Sequence, residues 1–241
     1  MTGRKIVAVV PALNEAEVIG KVVDEIHECD SRVDVVVVDD ASTDDTAAVA
    51  GAQGATVLRL PFNVGIGGAV QTGFRYALEQ GYDLAVRLDG DGQHDAREIG
   101  KILGPVERGE ANLVIGSRFV EAGGSYRPPF ARRMGIRVFA RLVSVLGGQR
   151  VTDTTSGFVA LDRLGIKLFA AEYPHDYPEV ESTLVALRSG LRLGQVQVNM
   201  RARETGASSI TFVRSLYYIL KVMLALLVSS LRRYPRLEET R

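Results

Sequence analysis

The chain has 241 residues, enough for one large domain with a substantial buried core, and its 29 Lys and Arg balance 29 Asp and Glu. With no net charge there is no global field to draw it to nucleic acid. The single cysteine, Cys29, excludes an intramolecular disulfide framework and suits a reducing compartment; it falls in a predicted helix and is expected to be a small buried or half-buried residue.

The N-terminus runs directly into a strand, without the long apolar run and small-residue cleavage site of a secretory signal. The protein is therefore expected in the cytosol or on the cytoplasmic face of a membrane. Residues 6–10 and 33–38 are short β-branched runs of the kind buried on both faces of a parallel sheet. Each is followed by a polar loop, Pro11-Ala-Leu-Asn-Glu15 and Asp39-Asp-Ala-Ser-Thr43. Between them, Val18, Ile19, Val22, Val23 and Ile26 have the spacing of a helix over 16–28. A second helix is predicted over 44–52, opened by a Ser-Thr-Asp-Asp cluster with good capping chemistry. A strand over 57–60, a helix over 66–80, and strands over 84–88 and 113–116 follow. Repeated βα units predict an α/β fold: a Rossmann-like, doubly wound, mainly parallel sheet.

The strand at 84–88 runs straight into Asp89-Gly-Asp-Gly-Gln-His94. Ligands of open α/β sheets bind beyond the carboxyl ends of the strands, where this carboxylate pair would sit. Two like charges this close favour a bridging cation, and hard oxygen ligands suit Mg²⁺ or Mn²⁺. Gly90 between them is expected to let a ligand approach the backbone. An acidic turn is the plainer account of the same residues.

After residue 118 the pattern changes. A turn-rich loop over 121–129 precedes a predicted helix over 130–146 that carries Arg132, Arg133, Arg137 and Arg141. A strand over 157–161, a helix around 182–189 and a strand over 194–200 follow. The apolar segment 216–231, closed by Arg232 and Arg233, is shorter than the roughly 20 residues that span a bilayer and is broken by Lys221. With Tyr217 and Tyr218 it suits a membrane interface; a core or dimer-forming helix is the alternative. No linker divides the chain. The expected organisation is a catalytic domain over 1–209, with halves 1–118 and 119–209, and an interfacial helix within 210–241.

Four loops lie in order, each just after a predicted strand: 11–15, 38–46, 63–68 and 89–94. This order resembles the family 2 glycosyltransferases of GT-A fold, and within them the polyprenyl-phosphate sugar synthases. The resemblance covers residues 5 to about 212. It includes Gly116-Ser-Arg118, Asp153-Thr-Thr-Ser-Gly-Phe158, Glu181 with Leu184 and Ala186, and Arg203-Glu-Thr-Gly-Ala-Ser208. It implies an inverting hexosyltransferase that moves a sugar from a GDP- or UDP-linked donor to a polyprenyl phosphate at the cytoplasmic membrane face.

By resemblance, Asp91 is the main metal ligand, Gln93 a second, and Asp89 and Gly90 lie at the metal or the donor. Pro11, Ala12, Leu13, Asn14, Glu15, Asp39 and Asp40 cradle base and ribose, carboxylates accepting hydrogen bonds from base N–H and hydroxyl groups. Arg118 and Arg203 match phosphate-binding positions, and Arg132 and Arg133 face the acceptor or the membrane. Where relatives have Lys after the Ser of the last motif this chain has Ser209, so Arg203 or Arg201 is left to meet the diphosphate. Glu15 and Asp44 also fit helix capping. A lipid phosphate is already a nucleophile near neutral pH, given its second pKa of about 6. If a base is needed, Asp153 and Glu181 are the candidates; His94 and His175 are expected to be solvated loop residues.

Gly65, Gly67 and Gly68 do not form a dinucleotide fingerprint, because the first βα turn has no glycine. Close helix packing explains Gly67, Gly68 and Gly73. Transfer to a sugar hydroxyl is the runner-up within the class, and a nucleotidyltransferase the alternative outside it, although that would want a Gly-rich basic loop after the first strand. The expected partners are a nucleotide sugar, a polyprenyl phosphate and a membrane surface; a homo-oligomer is left open.

Overall fold

The computed structural model describes residues 3–120, 130–201, 212–232 and 234, the side chains of 130–133 and 212–219 excepted. In chain order the elements are β1 (Ile6–Ala12), α1 (Ile19–Cys29), β2 (Val33–Asp39), α2 (Thr46–Ala52), β3 (Thr56–Arg59), α3 (Gly65–Glu79), β4 (Leu84–Arg87), α4 (Ile99–Glu107), β5 (Leu113–Ser117), α5 (Phe130–Gly147), β6 (Val159–Asp162), α6 (Arg163–Ala171), α7 (Pro178–Arg188), β7 (Leu193–Gln197) and α8 (Phe212–Leu231).

The seven strands form one sheet in the order β3-β2-β1-β4-β6-β5-β7. β6 runs antiparallel to β4 and β5, and the other pairings are parallel. The mainly parallel sheet read from the sequence is therefore present, with one reversed strand inserted at its centre. Period-2 alternation splits β1 between two cores. Ile6, Ala8 and Val10 pack with Ile19, Val23 and Ile26 of α1 and with Ile102 of α4. Val7 and Val9 face Val70 and Phe74 of α3 and Phe169 of α6. Helices thus cover both faces, which is why the central strands read as unbroken apolar runs.

Several expectations are corrected. Cys29 ends α1 and is exposed, because the buried stripe of that helix finishes at Ile26. α2 starts at Thr46 rather than 44. The Asp44 carboxylate accepts the Thr46 backbone N–H at 3.0 Å and so sits ahead of the helix as its polar cap. α4 and α6 are additional helices. Gly73 behaves as expected: a Cβ there would lie 2.3 Å from Val9 of the sheet. Gly67 instead packs against the segment after α6, where a Cβ would lie 2.4 Å from the Pro174 carbonyl.

α8 carries two apolar stripes. Val222, Leu226 and Ser229 are buried, the first two within the core that α7 also joins. Leu220, Leu224, Leu227 and Leu231 repeat the same spacing two residues out of phase and are exposed. Tyr234 closes the end of this helix with a 2.6 Å hydrogen bond between its hydroxyl and that of Ser229. A chain cut near residue 209 would therefore uncover core surface, so such a truncation is not a clean test of membrane binding. Among the described residues no helix is long and apolar enough to cross a membrane.

Candidate active site

Parallel strands bring the loops after β1, β2, β3 and β4 to one edge, and hydrogen bonds lock them together. The Asp40 N–H donates to the Ala12 carbonyl at 2.9 Å, and the Gly90 N–H to that of Pro11 at 3.2 Å. Asp40 Oδ1 accepts the Val64 N–H at 2.7 Å, which ties the β2 loop to the start of α3. Asn14 and Ala41 take left-handed backbone conformations, φ 55° and 61°. The Asn14 N–H donates to Ser42 Oγ, and Asn14 Oδ1 accepts the Thr43 N–H. The Glu15 N–H donates to Thr46 Oγ1. Pro11 and Ala12 are buried, Leu13 and Asn14 are exposed, and Glu15 is half-buried. Asp39 and Asp40 are nearly enclosed; Asp39 Oδ1 accepts the Ser42 N–H, and Oδ2 lies 3.6 Å from Arg59 Nε.

The acidic loop follows β4. Gly90 is required by its neighbours: a Cβ would lie 3.0 Å from the Pro11 carbonyl and 3.2 Å from Ala12 Cβ. Its missing side chain thus lets the acidic loop close onto β1. Asp89 and Asp91 are partly exposed. Asp91 Oδ1 accepts the Gln93 N–H at 3.0 Å, and Gln93 Nε2 donates to Asp91 Oδ2. The charge of Asp89 is met by a protein cation, Arg87, whose Nη2 donates to Asp89 Oδ1 at 3.0 Å. Burial pushes the Asp89 carboxyl up, but Arg87, and then His94, outweigh it and hold the group below the ordinary carboxylate range.

His94 is buried, stacked on Phe158 at 5.0 Å, and its Nδ1 accepts the Asp89 N–H at 2.9 Å. Burial holds its pKa below the ordinary value, against the pull of Asp89, so the ring is neutral. The expectation of a solvated loop histidine is corrected for His94; His175 is exposed.

The oxygens of Asp89, Asp91 and Gln93 are a donor set suited to a hard divalent ion. Among the described residues no group of three His, Cys, Asp or Glu side chains is arranged to hold a metal. Two carboxylates are nevertheless enough where water and a diphosphate complete the shell, the usual arrangement for Mg²⁺. Coordination by Gln93 would require its carbonyl oxygen in the place its Nε2 occupies beside Asp91.

On the other side, the motifs Gly116-Ser-Arg118 and Asp153–Phe158 are zipped together. Arg118 Nε and Nη2 donate to Asp153 at 2.7 and 2.9 Å, and Ser156 Oγ donates to the Gly116 carbonyl at 2.6 Å. Asp153 is fully buried, and its Oδ1 also accepts from Thr155. In this arrangement it orients Arg118 and is enclosed away from any ligand proton. Glu181 lies apart, lining a cavity of about 210 Å³ with Tyr173, Asp176, Arg232 and Tyr234. Arg201 binds Glu25 at 2.6 Å and Asp95 at 3.1 Å, so its guanidinium is engaged on the α1 side. Its N–H donates to the Gln93 carbonyl at 2.9 Å, which ties Arg201 to the acidic loop. Arg203 and the rest of 202–211 lie outside the described residues, as do the side chains of Arg132 and Arg133.

Sequence reasoning passed over Arg87, Tyr173 and Glu179. The available signal was a charged residue inside a strand buried on both faces, which must find partners.

The chain is similar to known proteins over most of its length. A family model described as "Glycosyl transferase family 2" matches residues 7–167. An undecaprenyl-phosphate mannosyltransferase of Micrococcus luteus is 33% identical over 215 residues, 86% of this chain and 88% of that protein. A polyprenol monophosphomannose synthase of Mycolicibacterium smegmatis is 29% identical over 217 residues, 86% of this chain and 82% of that protein. Among solved structures, glucosyl-3-phosphoglycerate synthase of Mycobacterium tuberculosis, in complex with Mn²⁺, UDP and glucosyl-3-phosphoglycerate, superposes with a TM-score of 0.70 at 26% identity. That match covers 95% of this chain and 80% of the other.

Proposed function

Because this chain belongs to glycosyl transferase family 2, we propose that it transfers one hexose from a nucleotide-sugar donor to a polyprenyl phosphate at the cytoplasmic face of a membrane. The observation that supports the reading is the interlocked edge of β1, β2 and β4, where hydrogen bonds join the loops that carry Asp39, Asp40, Asp89 and Asp91. The synthases from M. luteus and M. smegmatis supply the acceptor class, since their names specify polyprenyl phosphates.

Pro11 to Glu15 and the pair Asp39 and Asp40 hold base and ribose on a platform fixed before the donor arrives, so little ordering is left for binding to complete. Asp91 and Asp89, with Gln93, hold Mg²⁺ or Mn²⁺ against the donor diphosphate. When bound, the ion neutralises the charge that builds on the leaving diphosphate. A phosphate oxygen of the acceptor attacks the anomeric carbon as the bond to the diphosphate oxygen breaks and its electron pair leaves with the nucleotide. One in-line displacement inverts the anomeric configuration. The acceptor needs no proton removed, which agrees with the enclosure of Asp153 behind Arg118. Arg118, held by Asp153, and Arg203 are assigned to the phosphates, for which the guanidinium fork is suited.

The exposed stripe of α8, with Val145 and Met134 exposed on α5, is the membrane-facing surface in this reading. Arg137 and Arg141, also exposed on α5, suit anionic headgroups. Nucleotide sugars should raise the melting temperature in Mn²⁺, by about 2.7 kcal/mol of stability at a hundredfold excess over Kd. Asp91→Ala should abolish the Mn²⁺-dependent part. No shift with any UDP- or GDP-sugar would refute the donor assignment.

A further inference from the structure

We propose that Arg87 is a positioning residue, a buried strut that holds the acidic loop and the start of α7 in one fixed relation. The inference rests on the donor-site reading above and adds a part which that reading does not contain.

Arg87 ends β4 and is 1% exposed. Its Nη2 donates both to Asp89 Oδ1 at 3.0 Å and to Glu179 Oε1 at 2.9 Å, and its Nη1 donates to the Tyr173 hydroxyl at 3.0 Å. One guanidinium therefore joins the loop after β4 to two residues about ninety positions later, on and just before α7. Glu179 and Asp89 are both partly exposed, and these two carboxylates from different halves of the chain meet at one guanidinium.

The strut also accounts for Gly157. A Cβ there would lie 2.9 Å from Arg87 Nη2 and 3.0 Å from Asp89 Oδ2, so only glycine lets the segment before β6 close over the pair. Stability alone does not explain the arrangement. Arg87 Nε is buried without a hydrogen-bond partner, and a buried ion pair can commonly be replaced by apolar residues at little cost. What an apolar residue cannot do is hold Asp89 at a set distance from Glu179. Groups that orient a metal ligand from behind typically matter tenfold to a hundredfold in metal affinity.

The test compares wild type with Arg87→Met/Tyr173→Phe, which removes the strut without orphaning the tyrosine hydroxyl, and with Glu179→Gln, which weakens one arm. Amide hydrogen exchange is followed in ligand-free protein over 88–95, over 173–183 and, as a reference, over 33–39. Affinity for UDP or GDP with Mn²⁺ is measured on the same preparations. The strut predicts exchange at least about tenfold faster over 88–95 and 173–183, unchanged exchange over 33–39, and nucleotide binding with Mn²⁺ weaker by about tenfold or more. Unchanged exchange in both segments, faster exchange everywhere, or local loosening with unaltered affinity would each overturn it. If the wild type itself binds neither nucleotide with Mn²⁺, the donor-site reading fails, and the exchange data still decide whether Arg87 holds the loop.

Discussion

At the edge formed by β1 to β4, backbone amides of one loop are closed by carbonyls and side chains of the next: Asp40 on Ala12, Gly90 on Pro11, Val64 on Asp40, Asn14 on Ser42. Beyond β5 a buried ion pair, Arg118 with Asp153, stands among neutral contacts such as Ser156 on Gly116, and leucines of α8 are left facing outward. The first region is a platform built before any ligand arrives. The second encloses an ion pair and presents apolar surface. A small polar donor suits the former, because fixed hydrogen-bonding groups need no reorganisation. A long-chain acceptor delivered from a lipid surface suits the latter.

The contrast can be broken by mutations of matching chemistry on its two sides. The largest effect expected is on chemistry at the platform. Asp91→Ala should lower transfer by roughly a thousandfold or more, the scale of removing a key electrostatic group, while far-UV dichroism and melting temperature stay near wild type. A large fall in melting temperature would show that this carboxylate is structural. Next comes stability on the other side. Asp153→Ala removes the carboxylate that meets the enclosed Arg118 charge, which should cost about 3–5 kcal/mol, read by denaturant unfolding. A variant as stable as wild type would mean that the second region does not depend on this pair.

A smaller effect tests the outward leucines. Replacing Leu220, Leu224 and Leu231 by Ser leaves Val222 and Leu226 in the core, so folding and nucleotide affinity should hold while sedimentation with anionic vesicles falls about tenfold. Equal sedimentation would remove α8 from the membrane surface. The smallest concerns Glu181, whose carboxyl is raised above its ordinary value of 4.5 by burial and then by Asp176. A carboxyl raised in the folded state costs stability above that folded pKa and nothing below the unfolded one. Glu181→Gln should therefore raise the melting temperature at pH 7, with the gain fading by pH 4. An equal gain at both values would contradict the assignment.

The platform was legible in the sequence because each of its loops follows a short, largely apolar strand run, which places 11–15, 39–43 and 89–94 at one edge of a parallel sheet. The zipped motifs at 116–118 and 153–158 were legible as motifs only; that Asp153 faces Arg118 is a long-range pairing with no local signature. β6 could not be read as reversed, since strand direction depends on crossovers and not on composition. α4 was hidden by Gly100, Gly104 and Pro105, which break helical periodicity. The two faces of α8 could not be told apart in the sequence because apolar residues lie on both, Val222 and Leu226 inward and Leu220, Leu224, Leu227 and Leu231 outward. Arg87 was passed over because its partners Tyr173 and Glu179 are about ninety residues away.

The central claim is met most directly by incubating the protein with a radiolabelled nucleotide hexose, Mn²⁺, and either a polyprenyl phosphate or the same polyprenol without phosphate, then measuring label in the organic phase. The account predicts label on the phosphate lipid alone, dependent on Mn²⁺, and an inverted anomeric configuration in the product. Label reaching both lipids equally, or appearing only as free sugar in water, would contradict it.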